Sequence, residues 1–184
     1  MRALLVVVTG PPASGKSTLA RELSSRLGIA QVGKDLIKEA LYDALADERP
    51  SPQRLDGAAF ALLLRLADAQ LRTGVPFVIE SDFDRNSTLD PILDLRERHN
   101  ARLVQIHCAR APDRLLAHFA ERAESGTRHR VHGDEVGDVH ALRRDLDNGR
   151  WQPLDLPGEL IEIDPDAEGS SPDELLRQLP GRGE

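Results

Sequence analysis

The sequence has few aromatic residues, a single cysteine and no long apolar run. Aromatic side chains make up 3% of the chain, which argues against stacking platforms for single-stranded nucleic acid. The one cysteine, Cys108, cannot form an internal disulfide, so we expect a packed strand residue in a reduced, cytoplasmic protein. The most apolar stretch after the first strand, residues 58–71, is too short and too polar for a membrane span, so no membrane partner is expected.

Positive charge is also in the minority. The 24 Lys and Arg residues face 31 Asp and Glu residues, and a formal charge of -7 disfavours nucleic acid as a partner. A length of 184 residues allows one hydrophobic core, so we predict a single domain over residues 1–184 with at most a lid. The apolar run at residues 3–8 predicts a buried strand and not a secretory leader, because it is short and leads into Gly10 and two prolines. The oligomeric state stays open.

Short runs rich in Val, Ile and Leu alternate with helical patterns along the whole chain. This order is typical of an α/β protein in which helices cover both faces of a parallel sheet. Strands are predicted at 4–8, 30–32, 75–80, 103–107 and 160–163. Helices are predicted from about 15, from about 35, from 55 to before 74, after 86–88, from 112, over 139–146 and over 172–179. The polar segment 125–137 is predicted to be a mobile lid, and residues 180–184 a frayed end.

The most specific motif lies between the first predicted strand and the first predicted helix. Residues 10–18 match the phosphate-binding pattern G-x-x-x-x-G-K-[ST] at every required position. Backbone N–H groups of such a loop converge on phosphate oxygens, together with the N-terminus of the following helix. We predict that Lys16 reaches the β and γ phosphates and that the Ser17 hydroxyl is a ligand of Mg²⁺. The predicted nucleotide-binding residues of this loop are Gly10, Pro11, Pro12, Ala13, Ser14, Gly15, Lys16, Ser17 and Thr18.

Carboxylates follow two other predicted strands, at the sheet edge where ligands of parallel sheets gather. Asp35 could accept the proton of an attacking hydroxyl, or it could act only as the N-cap of its helix. We favour the catalytic role, because a cap needs no position beside a phosphate loop. Either Glu80 or Asp82 is expected to orient Mg²⁺, and we select Asp82 because Glu80 could face a neighbouring strand.

Three segments together resemble a known group of enzymes. The phosphate loop, the segment 33–38 (Gly-Lys-Asp-Leu-Ile-Lys) and the segment 122–134 resemble the small P-loop kinases. Among the AAA-type ATP-binding kinases, the likeness is to the branch of chloramphenicol phosphotransferase, zeta-toxin-type sugar-nucleotide kinases and polynucleotide 5′-hydroxyl kinases. The resemblance implies the P-loop NTPase fold with a five-stranded parallel sheet in the order 2-3-1-4-5. It also implies an arginine-bearing lid at about 122–137 and an Asp in the place of Asp35 that acts as base.

Three arginines of the predicted lid are candidates for phosphate contacts. Arg122 continues the apolar stripe of Leu115 and Phe119, so it faces the interior as a lid residue or as a snorkelling side chain. Arg128 and Arg130 lie on a glycine-containing loop and could close over a transferring phosphate or remain solvated. We assign Arg122 and Arg128 to catalysis and Arg130 to ATP binding.

The motifs together predict an ATP-dependent kinase that transfers the γ-phosphate to a hydroxyl of a small-molecule acceptor. ATP is favoured over GTP because the sequence lacks the Asn-Lys-x-Asp element of GTPases. In the related kinases the loop after the last strand, here residues 164–167, wraps the base, so the resemblance implies a contact with adenine. Two alternatives stay open at this point: a polynucleotide 5′-hydroxyl kinase, and a P-loop ATPase switch that acts on a protein partner. The sequence does not identify the acceptor.

Overall fold

The computed structural model describes residues 2–45, 47–48, 50–133, 138–167 and 172–178, apart from the side chains of Arg85, Asn86, Pro172 and Gln178. Three predictions therefore lie wholly or partly outside the described residues. They concern the end of the lid at 134–137, the last residue of the terminal helix at 179, and the frayed end at 180–184.

Strands and helices alternate along the chain as the sequence predicts. The strands are β1 Leu4–Thr9, β2 Ala30–Gly33, β3 Phe77–Glu80, β4 Arg102–Cys108 and β5 Glu159–Ile163. The helices are α1 Lys16–Leu27, α2 Lys34–Ala44, α3 Pro52–Arg72, α4 Arg85–His99, α5 Pro112–Ser125, α6 Val139–Asp147 and α7 Pro172–Gln178. A short 3-10 turn covers Arg130–His132. Among the described helices, none combines the length and the apolar character that a membrane span needs.

The third strand begins two residues later than predicted. Val75 is 44% exposed and precedes Pro76, which has no backbone N–H to donate to a sheet. Gly74 has a φ of 76° and turns the chain after α3. Pairing therefore starts only at Phe77.

The five described strands form one parallel sheet in the order β2-β3-β1-β4-β5, which confirms the predicted fold. The central strand β1 pairs with β3 on one side and β4 on the other, with Leu5 opposite Phe77 and Leu103. Because all strands run the same way, their carboxyl ends meet at one edge. The phosphate loop leaves β1 at that edge.

Alternating residues of the sheet build two hydrophobic cores. Leu5 and Val7 of β1 face a core completed by α3 and α4, while Val6 and Val8 face a core completed by α1 and α7. All four of these side chains are fully buried. A third, smaller cluster joins α5 to α6 through Leu115, Phe119 and Leu142. Helices thus cover both faces of the sheet, and this packed core supports the edge at which the phosphate loop lies.

The start of α2 corrects one sequence-based prediction. The N-cap of α2 is Gly33, with an extended φ of -98° and no side-chain capping hydrogen bond. Asp35 lies inside the first turn, so the prediction that Asp35 caps this helix is wrong. The cause is the neighbouring strand: a Cβ at Gly33 would lie 2.6 Å from a carboxylate oxygen of Glu80. Glycine therefore lets β2 pass directly into α2 beside that carboxylate.

Candidate active site

The phosphate loop is wrapped tightly between β1, β4 and α1. Gly10 has a φ of 144°, and a Cβ there would lie 2.8 Å from both the Cys108 carbonyl oxygen and Ser14 Oγ. Gly15, the N-cap of α1, has a φ of 90°. Both glycines are therefore required by the backbone path and by close approach. The loop ends with the N–H groups of the first turn of α1 at the carboxyl edge of the sheet.

Two polar groups of this loop suit an anionic ligand. Lys16 is buried, and its Nζ donates a hydrogen bond of 3.2 Å to the Pro11 carbonyl, which holds the ammonium group over the loop. Ser14 Oγ is buried and makes no hydrogen bond to any described residue. A buried hydroxyl without a partner is costly unless a ligand or water satisfies it. The cradle therefore fits phosphate oxygens in charge and in hydrogen bonding.

The two carboxylates at the end of β3 have different surroundings. Glu80 is buried beside the phosphate loop, where its carboxylate lies near the Ser17 hydroxyl. Burial raises the pKa of Glu80 above its ordinary value, and the positive charge of Lys16 offsets part of that rise. Glu80 thus lies beside Ser17, the predicted Mg²⁺ ligand, although Asp82 is the carboxylate that we predict from the sequence to orient the metal.

Asp82 points to α2 instead. Its Oδ1 lies 2.9 Å from Lys34 Nζ and accepts a hydrogen bond of 3.1 Å from the Ser81 hydroxyl. Burial works to raise the pKa of Asp82, but the charges of Lys34 and Lys16 outweigh it and lower the pKa. The predicted role of Asp82 in metal binding stays a prediction.

A pocket of about 660 Å³ opens between the phosphate loop, the start of α2 and the end of α5. It brings together eight residues predicted for the site, namely Ala13, Gly15, Lys16, Ser17, Thr18, Asp35, Arg122 and Arg128. Further lining residues that matter below are Gln31, Leu36, Glu39, Glu80, Arg110 and Thr127. The described residues that line the pocket include neither Asp82 nor Arg130.

Asp35 is the acidic group at the α2 side of this pocket. Its side chain is 36% exposed, and its Oδ2 accepts a hydrogen bond of 2.7 Å from Arg128 Nη2. The predicted base and a predicted lid arginine therefore form an ion pair. Both groups line the pocket that Lys16 also lines, so a ligand in it can contact all three.

The segment 127–133, which we call the lid segment, is docked along one face of α2. Its contacts use residues of α2 that are spaced by one helical turn or two, and so lie on the same side of the helix. The contacts are Arg128 with Asp35 at 2.7 Å, His132 with Glu39 at 2.8 Å, His129 with Asp43 at 3.1 Å, and the Arg130 guanidinium 4.9 Å from the Tyr42 ring centroid. Arg130 thus stacks on α2, and its role in ATP binding stays a prediction.

Several lining residues were missed from the sequence. Glu39 could have been found, because it lies one helical turn after Asp35 and so on the same face of α2. Leu36 is 60% exposed at the pocket, which no periodicity indicates.

Cys108 is buried, as expected, and burial raises the pKa of its thiol to about 12, so it is not a nucleophile.

A magnesium site in this pocket would need few protein ligands. The described residues contain no group of three or more His, Cys, Asp and Glu side chains suited to a metal ion. Mg²⁺ bound with a nucleotide usually takes one or two protein groups, with waters and phosphate oxygens as its other ligands. The Ser17 hydroxyl and the adjacent Glu80 carboxylate are such a donor set.

Comparison with known proteins identifies the family and the fold of the chain. A family model described as an AAA domain matches residues 5–146. The fold is similar to that of a candidate kinase from Chloroflexus aurantiacus J-10-fl, with 27% identity, a TM-score of 0.86 and 97% coverage of each chain. No curated protein sequence matches significantly.

Two other solved structures share the fold at lower identity. A sugar kinase from Janibacter sp. HTCC2649 is 18% identical, with a TM-score of 0.60 over 96% of this chain and 91% of that one. Kti12 of Chaetomium thermophilum, in complex with ADP-AlF3, is 19% identical, with a TM-score of 0.63 over 96% of this chain and 100% of that one. The chain therefore belongs to the AAA domain family, and its fold confirms the expected likeness to the small P-loop kinases.

Proposed function

We propose that this protein is an ATP-dependent kinase that transfers the γ-phosphate to a hydroxyl of a small molecule. The observation that carries the proposal is the position of Asp35. Its carboxylate lines the same pocket as Lys16 and Ser17 but belongs to α2 and not to the phosphate loop, so a hydroxyl bound in the pocket could meet both base and phosphate. A nucleotide-binding protein that transfers phosphate only to water does not need a binding surface for a second substrate.

The transfer requires Asp35 to receive a proton. When bound, ATP supplies the γ-phosphoryl group and ADP as the leaving group. Asp35 accepts the proton of the acceptor hydroxyl while the oxygen of that hydroxyl bonds to the γ-phosphorus. At the same time the bond between the γ-phosphorus and the β–γ bridging oxygen breaks, and ADP leaves. The hydrogen bond from the Arg128 guanidinium occupies Oδ2 of Asp35, and release of Arg128 would make that oxygen, too, available as a proton acceptor. An anionic phosphate nearby is an alternative partner for that guanidinium.

Lys16, Arg122 and Arg128 supply positive charge around the transferred group. All three line the pocket, and Arg122 is held at the end of α5 with its guanidinium 5.2 Å from the Phe119 ring centroid. Fixed cations in a partly buried pocket stabilise charge that develops on phosphoryl oxygens. We assign the electrostatic part of catalysis to these three residues.

Ser17 and Glu80 are proposed to hold Mg²⁺ with the nucleotide. The hydroxyl and the carboxylate lie near each other, and both residues line the pocket beside Lys16. When bound there, Mg²⁺ neutralises part of the phosphate charge. Asp82, which pairs with Lys34, supports the site from a greater distance in this assignment.

The part of the pocket lined by Gln31, Asp35, Leu36 and Glu39 suits a compact polar molecule as acceptor. Gln31, Asp35 and Glu39 offer hydrogen-bonding groups, and the exposed face of Leu36 offers apolar contact. The similar fold includes a sugar kinase, and sugars combine hydroxyls with apolar ring faces. Sugars therefore lead the panel of acceptors to be tested.

The experiment is a screen of ADP release from ATP and Mg²⁺ across sugars, amino alcohols, nucleosides, hydroxylated antibiotics and 5′-hydroxyl oligonucleotides. We expect at least one small hydroxyl compound to raise ADP release well above the rate with water alone. Lys16→Ala is the matched control and should abolish that increase. A response confined to oligonucleotides would favour the polynucleotide kinase, and an equal rate with every compound would contradict the proposal.

A further inference from the structure

Ala13 has a backbone conformation that alanine rarely adopts. Its φ is 64°, in the left-handed region, and the only other described non-glycine residue with positive φ is Asn100. For a residue with a Cβ this region costs about 1–2 kcal/mol, because Cβ approaches the following carbonyl oxygen. Ala13 lies inside the phosphate loop and lines the pocket. Its peptide groups therefore have to be held in a strained path at the point where phosphate would bind.

Besides the packing of its methyl group against the cluster of Leu115, Phe119 and Leu142, Ala13 has a backbone contact with a side chain from outside the loop. Arg110 Nη1 donates a hydrogen bond of 2.8 Å to the Ala13 carbonyl oxygen. The other terminal nitrogen, Nη2, donates 2.7 Å to Asp166 Oδ1 in the loop after β5. The Arg110 side chain is only 8% exposed, whereas its hydrogen bond to Ala13 is partly buried and its hydrogen bond to Asp166 is exposed to solvent.

The Asp166 end of this bridge is itself fixed. The backbone N–H of Asp166 donates a hydrogen bond of 3.0 Å to Asp164 Oδ1, and Ala109 donates 2.8 Å to the Ile163 carbonyl. Pro165 of the same loop packs close to Gly15, where a Cβ would lie 3.3 Å from its ring. Arg110 therefore ties the phosphate loop to a loop anchored on β4 and β5.

We propose that Arg110 is a positioning residue that keeps Ala13 in its left-handed conformation and so preforms the phosphate cradle. The inference rests on the nucleotide-binding part of the proposed function and needs neither the acceptor nor phosphoryl transfer. It assigns Arg110 an indirect role through the Ala13 carbonyl. A direct contact between Arg110 and the nucleotide is the competing explanation, because Arg110 also lines the pocket.

Glycine at residue 13 separates the two explanations. Glycine adopts a φ of 64° without the Cβ penalty, so it does not need a partner to hold it there. Removal of Arg110 should therefore matter in the natural sequence and matter little in an Ala13→Gly background. A direct nucleotide contact would be lost equally in both backgrounds.

The experiment measures ADP affinity for the wild type, Arg110→Ala, Ala13→Gly and the double variant. We expect Arg110→Ala to weaken ADP binding by about fivefold to thirtyfold with Ala13 present, the factor that corresponds to roughly 1–2 kcal/mol. The same substitution should weaken binding by less than about twofold in the Ala13→Gly background. Asp166→Ala, which removes only the other end of the bridge, leaves Arg110 able to donate to the Ala13 carbonyl, so this control should weaken ADP binding less than Arg110→Ala does.

Equal losses of ADP affinity in the two backgrounds would overturn the inference and favour direct contact. Thermal unfolding without nucleotide gives a second readout, and there too Arg110→Ala should lower the midpoint more with Ala13 than with the Ala13→Gly substitution. If Arg110→Ala does not fold, Arg110→Lys is compared in the same two backgrounds. A wild type that binds no ADP would contradict the proposed function, while the unfolding midpoints would still decide the role of Arg110.

Discussion

At the scale of single residues, the partners of each carboxylate at the sheet edge decide what it can do. Glu80 lies near the Ser17 hydroxyl and the charge of Lys16, whereas Asp82 is paired with Lys34. Asp35 is paired with Arg128, a residue of the lid segment. These different partners are the basis on which we propose a metal-side role for Glu80, a structural role for Asp82 and the role of base for Asp35.

The first prediction distinguishes Glu80 from Asp82. We expect Glu80→Gln to raise the Mg²⁺ concentration needed for tight ATP binding by about tenfold or more, because a neutral amide is a much weaker Mg²⁺ ligand. Asp82→Asn should change thermal stability more than the Mg²⁺ requirement, because it removes the nearer carboxylate partner of the largely buried Lys34 cation and leaves Asp56 at 3.4 Å. The measurement is a Mg²⁺ titration of ATP-analogue binding for both variants. The reverse pattern would restore Asp82 as the metal residue.

The second prediction concerns Asp35. Asp35→Asn should leave ATP affinity nearly unchanged and lower turnover with an acceptor by about a hundredfold or more, because it removes the proton acceptor but keeps the side-chain shape. Asp43→Asn, also on α2 and paired with the lid segment through His129, is the matched control. Turnover and nucleotide binding are measured together. Near-normal turnover in Asp35→Asn would remove Asp35 from the chemistry.

At the scale of elements, the lid segment and α2 behave as one packed unit. Four contacts join them, and two of these pair a histidine with a carboxylate. Of these four contacts, only the ion pair between Arg128 and Asp35 has both of its residues in the lining of the pocket. Ligand binding is therefore expected to rearrange one end of this contact surface first.

The third prediction tests the part of the lid segment that contains Arg128. Arg128→Ala should lower turnover by about a hundredfold, with a smaller loss of ATP affinity, because the cation acts mainly on charge that develops during transfer. Amide exchange of residues 122–133 should slow when nucleotide is added. Arg143→Ala is the control, since Arg143 forms only half-exposed ion pairs with Asp113 and Asp147. Unchanged exchange and unchanged turnover in Arg128→Ala would show that the lid segment takes no part in the reaction.

At the scale of the whole molecule, the arrangement of strands and helices could be predicted from the sequence. Each strand is a short apolar run, and the resemblance to P-loop kinases implied the strand order that the structure has. The N-cap at Gly33 could not be predicted, because it depends on Glu80 of a neighbouring strand. The same holds for the pairing of Asp82 with Lys34 and for the docking of the lid segment on α2. These features depend on contacts between residues that are distant in the sequence.

The fourth prediction concerns the pH dependence of stability. Burial lowers the pKa of His107 below its ordinary value, and the charge of Glu162 offsets only part of that effect. Burial and the charge of Arg128 also lower the pKa of His132. A histidine with a lowered pKa in the folded protein binds its proton more readily when unfolded. Its contribution to stability is present above about pH 6.5 and is lost as the pH falls toward the folded-state pKa.

We therefore expect the thermal midpoint to fall between about pH 6.5 and pH 5. His107→Asn should make this decrease shallower, because it removes one of the two groups while keeping a side chain that can bond to the Thr9 hydroxyl, now 2.9 Å from His107 Nδ1. His118→Asn, at an exposed site, is the matched control. A midpoint that is independent of pH over this interval would contradict the assignment of buried, neutral histidines.

The most direct test of the central claim follows the γ-phosphoryl group of labelled ATP with a responding acceptor from the screen. The account predicts that the wild type moves the label onto the acceptor as a phosphate ester. It also predicts that Lys16→Ala forms neither this ester nor ADP, and that Asp35→Asn still binds ATP but forms the ester at about a hundredth of the rate or less. Label that appears only as inorganic phosphate, at a rate that no acceptor changes, would identify an ATPase and contradict the kinase.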